Sequence, residues 1–206
     1  VKKPTLKDWA EQVAVLVFVK VARLLPPRAV PKMAAMLGVL LFDVVRYRRQ
    51  VALSNLDWHL GRGARDPDVS NTSKERRYHE RIGRECLTGF VMGLAEFARL
   101  PLIDKKYMDE NIEVSGLEHL DEALKRGKGG ILVTGHFGSW ELMGWVVARL
   151  GYPLKFVVGV QRNPLVQVLM NDIRRSCGIQ VMEPDSLLGV ARSLKSNQFV
   201  AMLSDQ

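Results

Sequence analysis

Cysteine is scarce in this chain: Cys86 and Cys177 are the two among 206 residues. They form neither a Cys-x-x-Cys redox pair nor a zinc-ligand pattern. The expectation is two free, buried thiols in a reducing compartment. Histidine is also sparse, with four in all, and none stands in the His-Glu-x-x-His spacing of a helical metal site, so no metal is expected. Long apolar runs are missing. "VAVLVFV" stops at Lys20 and "MAAMLGVLLF" at Asp43, well short of the roughly 18 to 20 residues of a spanning helix. Ser139 sits in "HFGSW" rather than in the Gly-x-Ser-x-Gly elbow of a hydrolase. There is no internal repeat and no low-complexity segment.

What is present is a folding chain. It is 47% hydrophobic and 25% charged, enough for one large domain or two small ones with a real core. A net charge of +8 and a pI near 9.7 call for an anionic partner: nucleic acid, a phospholipid surface or an acidic protein. The basic residues are spread through helices that also carry acids, and no nucleic-acid motif accompanies them, which sets nucleic acid aside. "VAVLVFVKVARLLPPR" fits two arrangements, a helix packed on its own domain or an interfacial helix with Lys20, Arg23 and Arg28 near lipid headgroups. Trp9 and Trp58 are open to the same two roles, packing or interfacial anchoring.

The rhythm of the chain changes near its middle. Residues 1–60 read as three helical pieces (6–25, 31–45 and a basic stretch "RYRRQVALSNLDWHL"), and "GRGARDPDVSNTSKERR" reads as a loop. Cys86, Leu87, Phe90, Val91, Leu94, Ala95 and Ala98 recur at the three-and-four spacing of a helix over 80–100. From there "NIEVSG", "GGILVTG", "LKFVVGV", "IQVME" and "QFVAMLSD" read as strands. Between them lie helices closed by Gly127, Gly151 and Gly178, one of them opened by Pro164. Such alternation predicts an α/β fold with a mostly parallel sheet and flanking helices, preceded by an N-terminal helical region. The expected division is a helical, membrane-associating part over 1–110 and an α/β core over 111–206. Ligands of such sheets bind beyond the carboxyl ends of the strands. His136 and Asp205 both fall there.

The segment "TGHFGSWE" concentrates the chemistry. A histidine just ahead of a helix, with Glu141 in the first turn, can form an imidazole–carboxylate pair whose free ring nitrogen deprotonates a hydroxyl. The alternative is a histidine bonded to a carbonyl and an acid that merely favours the helix N-terminus. Arg174 and Arg175, on a helix, and Arg162 with Asn163, just after a strand, are candidates for gripping a phosphate. Each also fits a solvated or structural role. Asp205 is open to substrate binding or loop capping. His59, His79 and His119 carry no partner pattern and are expected to be structural or superficial.

"TGHFGSWELMG" resembles the His-x-x-x-x-(Asp/Glu) signature of glycerolipid acyltransferases, and with "WEL" it is most similar to the bacterial late acyltransferases of lipid A biosynthesis. "RYRRQVALSNL", "VSGLEHLDEALKRGKGGILVTGH", "RNPLVQVLMNDIRRSCG" and "VAMLSDQ" agree in order and spacing, so the resemblance covers most of residues 25–206. It implies a glycerolipid acyltransferase-like fold with His136 as general base and Glu141 as its orienting, charge-balancing partner. Arg162, Asn163, Arg174, Arg175 and Asp205 would bind substrate. No cofactor is implied beyond an acyl thioester co-substrate on acyl carrier protein or coenzyme A. The implied partners are acyl carrier protein, a lipid A precursor or other anionic glycolipid, and the membrane surface. The implied place is the cytoplasmic face of the bacterial inner membrane, held peripherally or by one N-terminal anchor. Other readings are an acyltransferase for another glycolipid, an aminolipid or a lysophospholipid, and a non-catalytic membrane-binding module. The chain starts at Val1 and ends at Gln206, where the resemblance implies a further strand and helices. The core is therefore expected to be truncated.

Overall fold

The computed structural model describes residues 3–60 and 73–205. Most of the expected loop after residue 60 lies outside the described residues. Two compact units emerge: Val1–Leu24 with Glu96–Gln206, and Leu25–Ala95.

The first unit is α/β. Helix α1 (Leu6–Leu24) starts from a reciprocal cap in which the Thr5 N–H and hydroxyl both donate to Asp8, and the Asp8 N–H returns to Thr5 Oγ1. Its buried residues, Val19 and Ala22, lie three apart, as one inward face requires. Arg23 donates to Ala98 O at 2.7 Å, and Arg99 donates to Ala22 O at 2.5 Å. Arg23 is thus turned to the protein rather than to a headgroup. The opposite face presents Leu6, Trp9, Val13, Val17, Val21 and Leu24, all exposed.

The sheet forms as the alternation predicts. Strands β1 (Gly130–Thr134), β2 (Leu154–Val157), β3 (Gln180–Met182) and β4 (Phe199–Leu203) pair in the order β1-β4-β2-β3, every pair parallel. Helix α6 (Leu117–Lys125) precedes β1, and α7 (Trp140–Arg149), α8 (Pro164–Ser176) and α9 (Leu187–Lys195) connect the strands. Gly127, Gly151 and Gly178 follow α6, α7 and α8 with positive φ, the helix-closing role expected of them. Phe199 and Val200, on the inner strand β4, are fully buried. Helix α7 approaches β2 at Gly144, where a side-chain carbon would collide with the Phe156 ring.

Two expectations change. "NIEVSG" pairs with no strand; its first residue ends helix α5 (Lys105–Asn111), which the apolar pattern did not reveal, and the rest is irregular. Three of the irregular residues, Glu113, Val114 and Ser115, are exposed, so no core face holds the segment in a ladder. Neither cysteine is buried. Cys86 is exposed and Cys177 half-buried, and that partial burial raises the Cys177 thiol above its ordinary value.

The second unit contains α2 (Val30–Val39), a π-turn continuation over Leu40–Val44, α3 (Arg49–Leu60) and most of α4 (Ser73–Arg99). Helix α4 thus begins seven residues before the apolar spacing announces it, with a polar first turn. Phe42 is fully buried, with the Arg49 and Arg84 guanidinium groups 5.0 and 5.9 Å from its ring centre. Arg84 grips Asp43 through Nε at 2.7 Å and Nη2 at 3.0 Å, which holds the Asp43 carboxyl below its ordinary value. Helix α3 buries no residue of its own. Polar contacts attach it to α4: Arg49 to Glu80 at 2.8 Å, and Asp57 to the buried His79 at 2.5 Å.

Candidate active site

Parallel register builds the site. Thr134 of β1 is the partner of Leu203 of β4, and His136 and Asp205 each lie two residues further on. The ladder continues between them, with the Ser204 N–H donating to Thr134 O at 3.1 Å. Beyond it the Asp205 carboxylate accepts twice from one residue: the His136 N–H reaches Oδ2 at 2.7 Å, and His136 Nδ1 lies 2.9 Å from Oδ1. These two bonds, ring first and backbone second, hold the Asp205 carboxyl below its ordinary value. As an anion Asp205 can only accept, so Nδ1 carries the proton in this contact, and the neutral form of the imidazole holds its lone pair on Nε2.

The loop leaves little slack. A side chain at Gly135 would stand 3.0 Å from Asp205 Oδ2, and Gly138 has φ +58°, a conformation glycine enters without strain. Trp140, the first residue of α7, meets the His136 ring edge-on, with centres 5.0 Å apart and planes at 70°. Phe137 projects outward, 88% exposed. The hydroxyl of Ser139 is buried and has no hydrogen-bond partner among the described residues.

Glu141 has another partner than the one its spacing suggests. It is buried and takes both Nε (3.1 Å to Oε2) and Nη2 (to Oε1) of Arg174 on α8. Arg174 Nη1 donates to Asn171 Oδ1 at 3.0 Å, and its guanidinium stands 5.4 Å from the centre of the Phe97 ring. Arg174 is thereby committed within the protein rather than extended toward a phosphate. The imidazole–carboxylate pair does form, with Asp205 as the carboxylate.

The other expected residues are dispersed. Asn163 is buried, caps α8 by accepting from the Leu165 and Val166 amides, and donates to Asp8 O and Glu11 Oε2 on α1. Arg175 is exposed and paired with Asp172 at 3.1 Å. Arg162, beyond the carboxyl end of β2, is exposed and has no partner among the described residues. Trp140 is what sequence reasoning passed over, because an aromatic at a helix start leaves no spacing signal; Ser139 is weighed there as a nucleophile and set aside for want of a hydrolase elbow.

Fold and loop together place the chain in the α/β class that presents its site beyond the carboxyl edge of a parallel sheet. Compared with known families, residues 3–206 match the bacterial lipid A biosynthesis acyltransferase family, and the chain belongs to it. Among curated relatives, a phosphatidylinositol mannoside acyltransferase of Mycobacterium tuberculosis is 29% identical over 119 residues, 54% of this chain and 37% of the relative. Its namesake in Mycolicibacterium smegmatis is 29% identical over 100 residues, 48% of this chain and 33% of the relative. A lipid A biosynthesis acyltransferase of Haemophilus influenzae is 24% identical over 161 residues, 78% of this chain and 47% of the relative. The chain spans between about a third and a half of the length of these relatives.

Proposed function

We propose that this chain carries the acyl-transfer site of a membrane-associated O-acyltransferase, with His136 as general base and Asp205 as the carboxylate that orients it. The observation that carries this reading is the doubly bonded His136–Asp205 pair at the matched ends of neighbouring strands. An acceptor hydroxyl at Nε2 gives up its proton as its oxygen attacks the thioester carbon of an acyl chain on acyl carrier protein or coenzyme A. The new C–O bond forms, the C–S bond breaks, and the imidazolium returns the proton to the departing thiolate. Asp205 balances the imidazolium charge. Both substrates meet in one complex, and no acyl-enzyme is needed. Glu141 holds Arg174, and through it α7 against α8, so its part is to place the loop. Arg162, exposed at the same edge, is the side chain best placed to meet an acceptor phosphate.

A lipid A precursor or another anionic glycolipid suits the basic chain and the family. Two relatives named for phosphatidylinositol mannoside keep a sugar hydroxyl of another glycolipid as the second reading. Among the described residues no helix is long and apolar enough to cross a membrane. The exposed stripe from Leu6 to Leu24 on α1, flanked by Lys7 and Lys20, suits a helix lying in the interface of the inner membrane's cytoplasmic leaflet.

The test incubates the protein in detergent with acyl carrier proteins bearing mixed chains and either a tetra-acylated lipid A precursor or a mannosylated phosphatidylinositol, reading products by mass spectrometry. The reading expects one added acyl chain, lost in His136→Ala and strongly reduced in Asp205→Asn. Undiminished transfer by His136→Ala would overturn it.

A further inference from the structure

A second polar cluster lies away from His136, toward the amino ends of the strands, and the proposed reaction does not use it. Lys155 of β2 and Gln180 of β3 are register partners, so they stand side by side on one face of the sheet. Arg192 and Ser196, one turn apart on and just after α9, and Ser193 between them form the opposite wall. These five residues and Gln198 border a cavity of about 310 Å³, and no acidic side chain lines it.

The polar groups there are unusually free. Among the described residues neither Lys155 nor Arg192 has an ion-pair or hydrogen-bond partner, and Ser193, 2% exposed, is buried. Two cations facing one space repel each other until an anion joins them. The carboxyl end of α9 opposes an anion in principle. Here, however, the carbonyls of Arg192, Ser193 and Leu194 are already taken by the amides of Ser196, Gln198 and Asn197. Lysine and arginine donors, two carboxamides and two hydroxyls match the acceptor oxygens of a phosphate. The volume is at the lower limit of small-molecule sites, roughly 300 Å³, which suits a phosphate on a small organic body, and the largely polar lining is unsuited to an acyl chain.

We propose that this cavity binds a phosphate monoester, separately from the acyl-transfer site. The phosphate can come from a soluble metabolite or from a lipid headgroup. Calorimetric titration of the full chain at low salt, with inorganic phosphate and then glycerol 3-phosphate, tests the site against a chloride control. Both ligands are expected to bind, about tenfold more weakly in Arg192→Gln and Lys155→Met, and unchanged in His136→Ala and in Arg175→Gln, which alters an exposed arginine elsewhere. Vesicles of phosphatidic acid in phosphatidylcholine displace the bound phosphate if a headgroup is the source, and leave it in place if a soluble ester is. No binding beyond chloride, or equal binding by wild type and a folded Arg192→Gln protein, would overturn the proposal. Loss of binding in His136→Ala would overturn its separateness. Far-UV circular dichroism of the same samples verifies folding, and Arg192, exposed on α9, keeps the test valid should Lys155→Met disturb the sheet.

Discussion

His136 and Glu141 stand five residues apart in one motif, yet their ionic partnerships are opposite in kind. The side chains of His136 and Asp205 are 35% and 45% exposed, whereas those of Arg174 and Glu141 are 6% and 10% exposed. The first pair is partly open to solvent, with the ring bonded to Asp205 through Nδ1. The second is closed, with the guanidinium divided among Glu141, Asn171 and the Phe97 ring. An open pair can pass a proton to a substrate. A closed pair holds elements in place, because its charges were desolvated when the protein folded and separating them leaves one stranded.

The comparison is broken most directly at His136. His136→Ala should lower acyl transfer by about 10²- to 10⁴-fold with only a small shift of the unfolding curve, from the lost bond to Asp205, measured by single-turnover product formation beside chemical denaturation. On the closed side, Glu141→Gln leaves the Arg174 charge buried without its counter-charge and should cost about 3–5 kcal/mol of stability. Replacing Glu141 and Arg174 together by methionine should restore most of that loss. If the double variant folds well but is as inactive as His136→Ala, Glu141 takes part in the chemistry and the contrast fails.

Gly144→Ala probes how tightly α7 is seated. Its new carbon would stand 2.8 Å or less from carbons of the Phe156 ring, so a loss of about 1–3 kcal/mol is expected. The pH profile of transfer should keep its shape, because the open pair is untouched. The smallest effect concerns acid. Asp205 has its carboxyl lowered from the ordinary 3.8 by its bonds to His136. Its contribution to stability is therefore complete above 3.8 and disappears as pH falls through the lower folded value. The difference in thermal midpoint between wild type and Asp205→Asn should be constant at higher pH and shrink below 3.8. A difference that persists into strong acid would mean the ionised carboxylate is not what stabilises the loop.

Much of this arrangement is legible along the chain. The glycines at 127, 151 and 178 announce the helix ends because positive φ costs them little. Asn163-Pro164 announces the start of α8, since proline suits a first helical turn. "TGHFGSWE" marks a candidate site, because a histidine between glycines ahead of a helix has little packing value. The partner of that histidine is hidden: Asp205 follows its strand as His136 follows its own, but the chain does not say that β1 and β4 are neighbours. "NIEVSG" misleads in the other direction, with alternation typical of a strand but no ladder to join.

The sequence by itself determined the family, the alternation of helices with strands, and the loop that carries the histidine, because local backbone preference and hydrophobic period are written within ten or fifteen residues. Only the tertiary structure decided which carboxylate serves that histidine. The two candidates lie 5 and 69 residues away along the chain. Sheet order and parallel register brought the distant one to His136, while burial against Arg174 engaged the near one elsewhere.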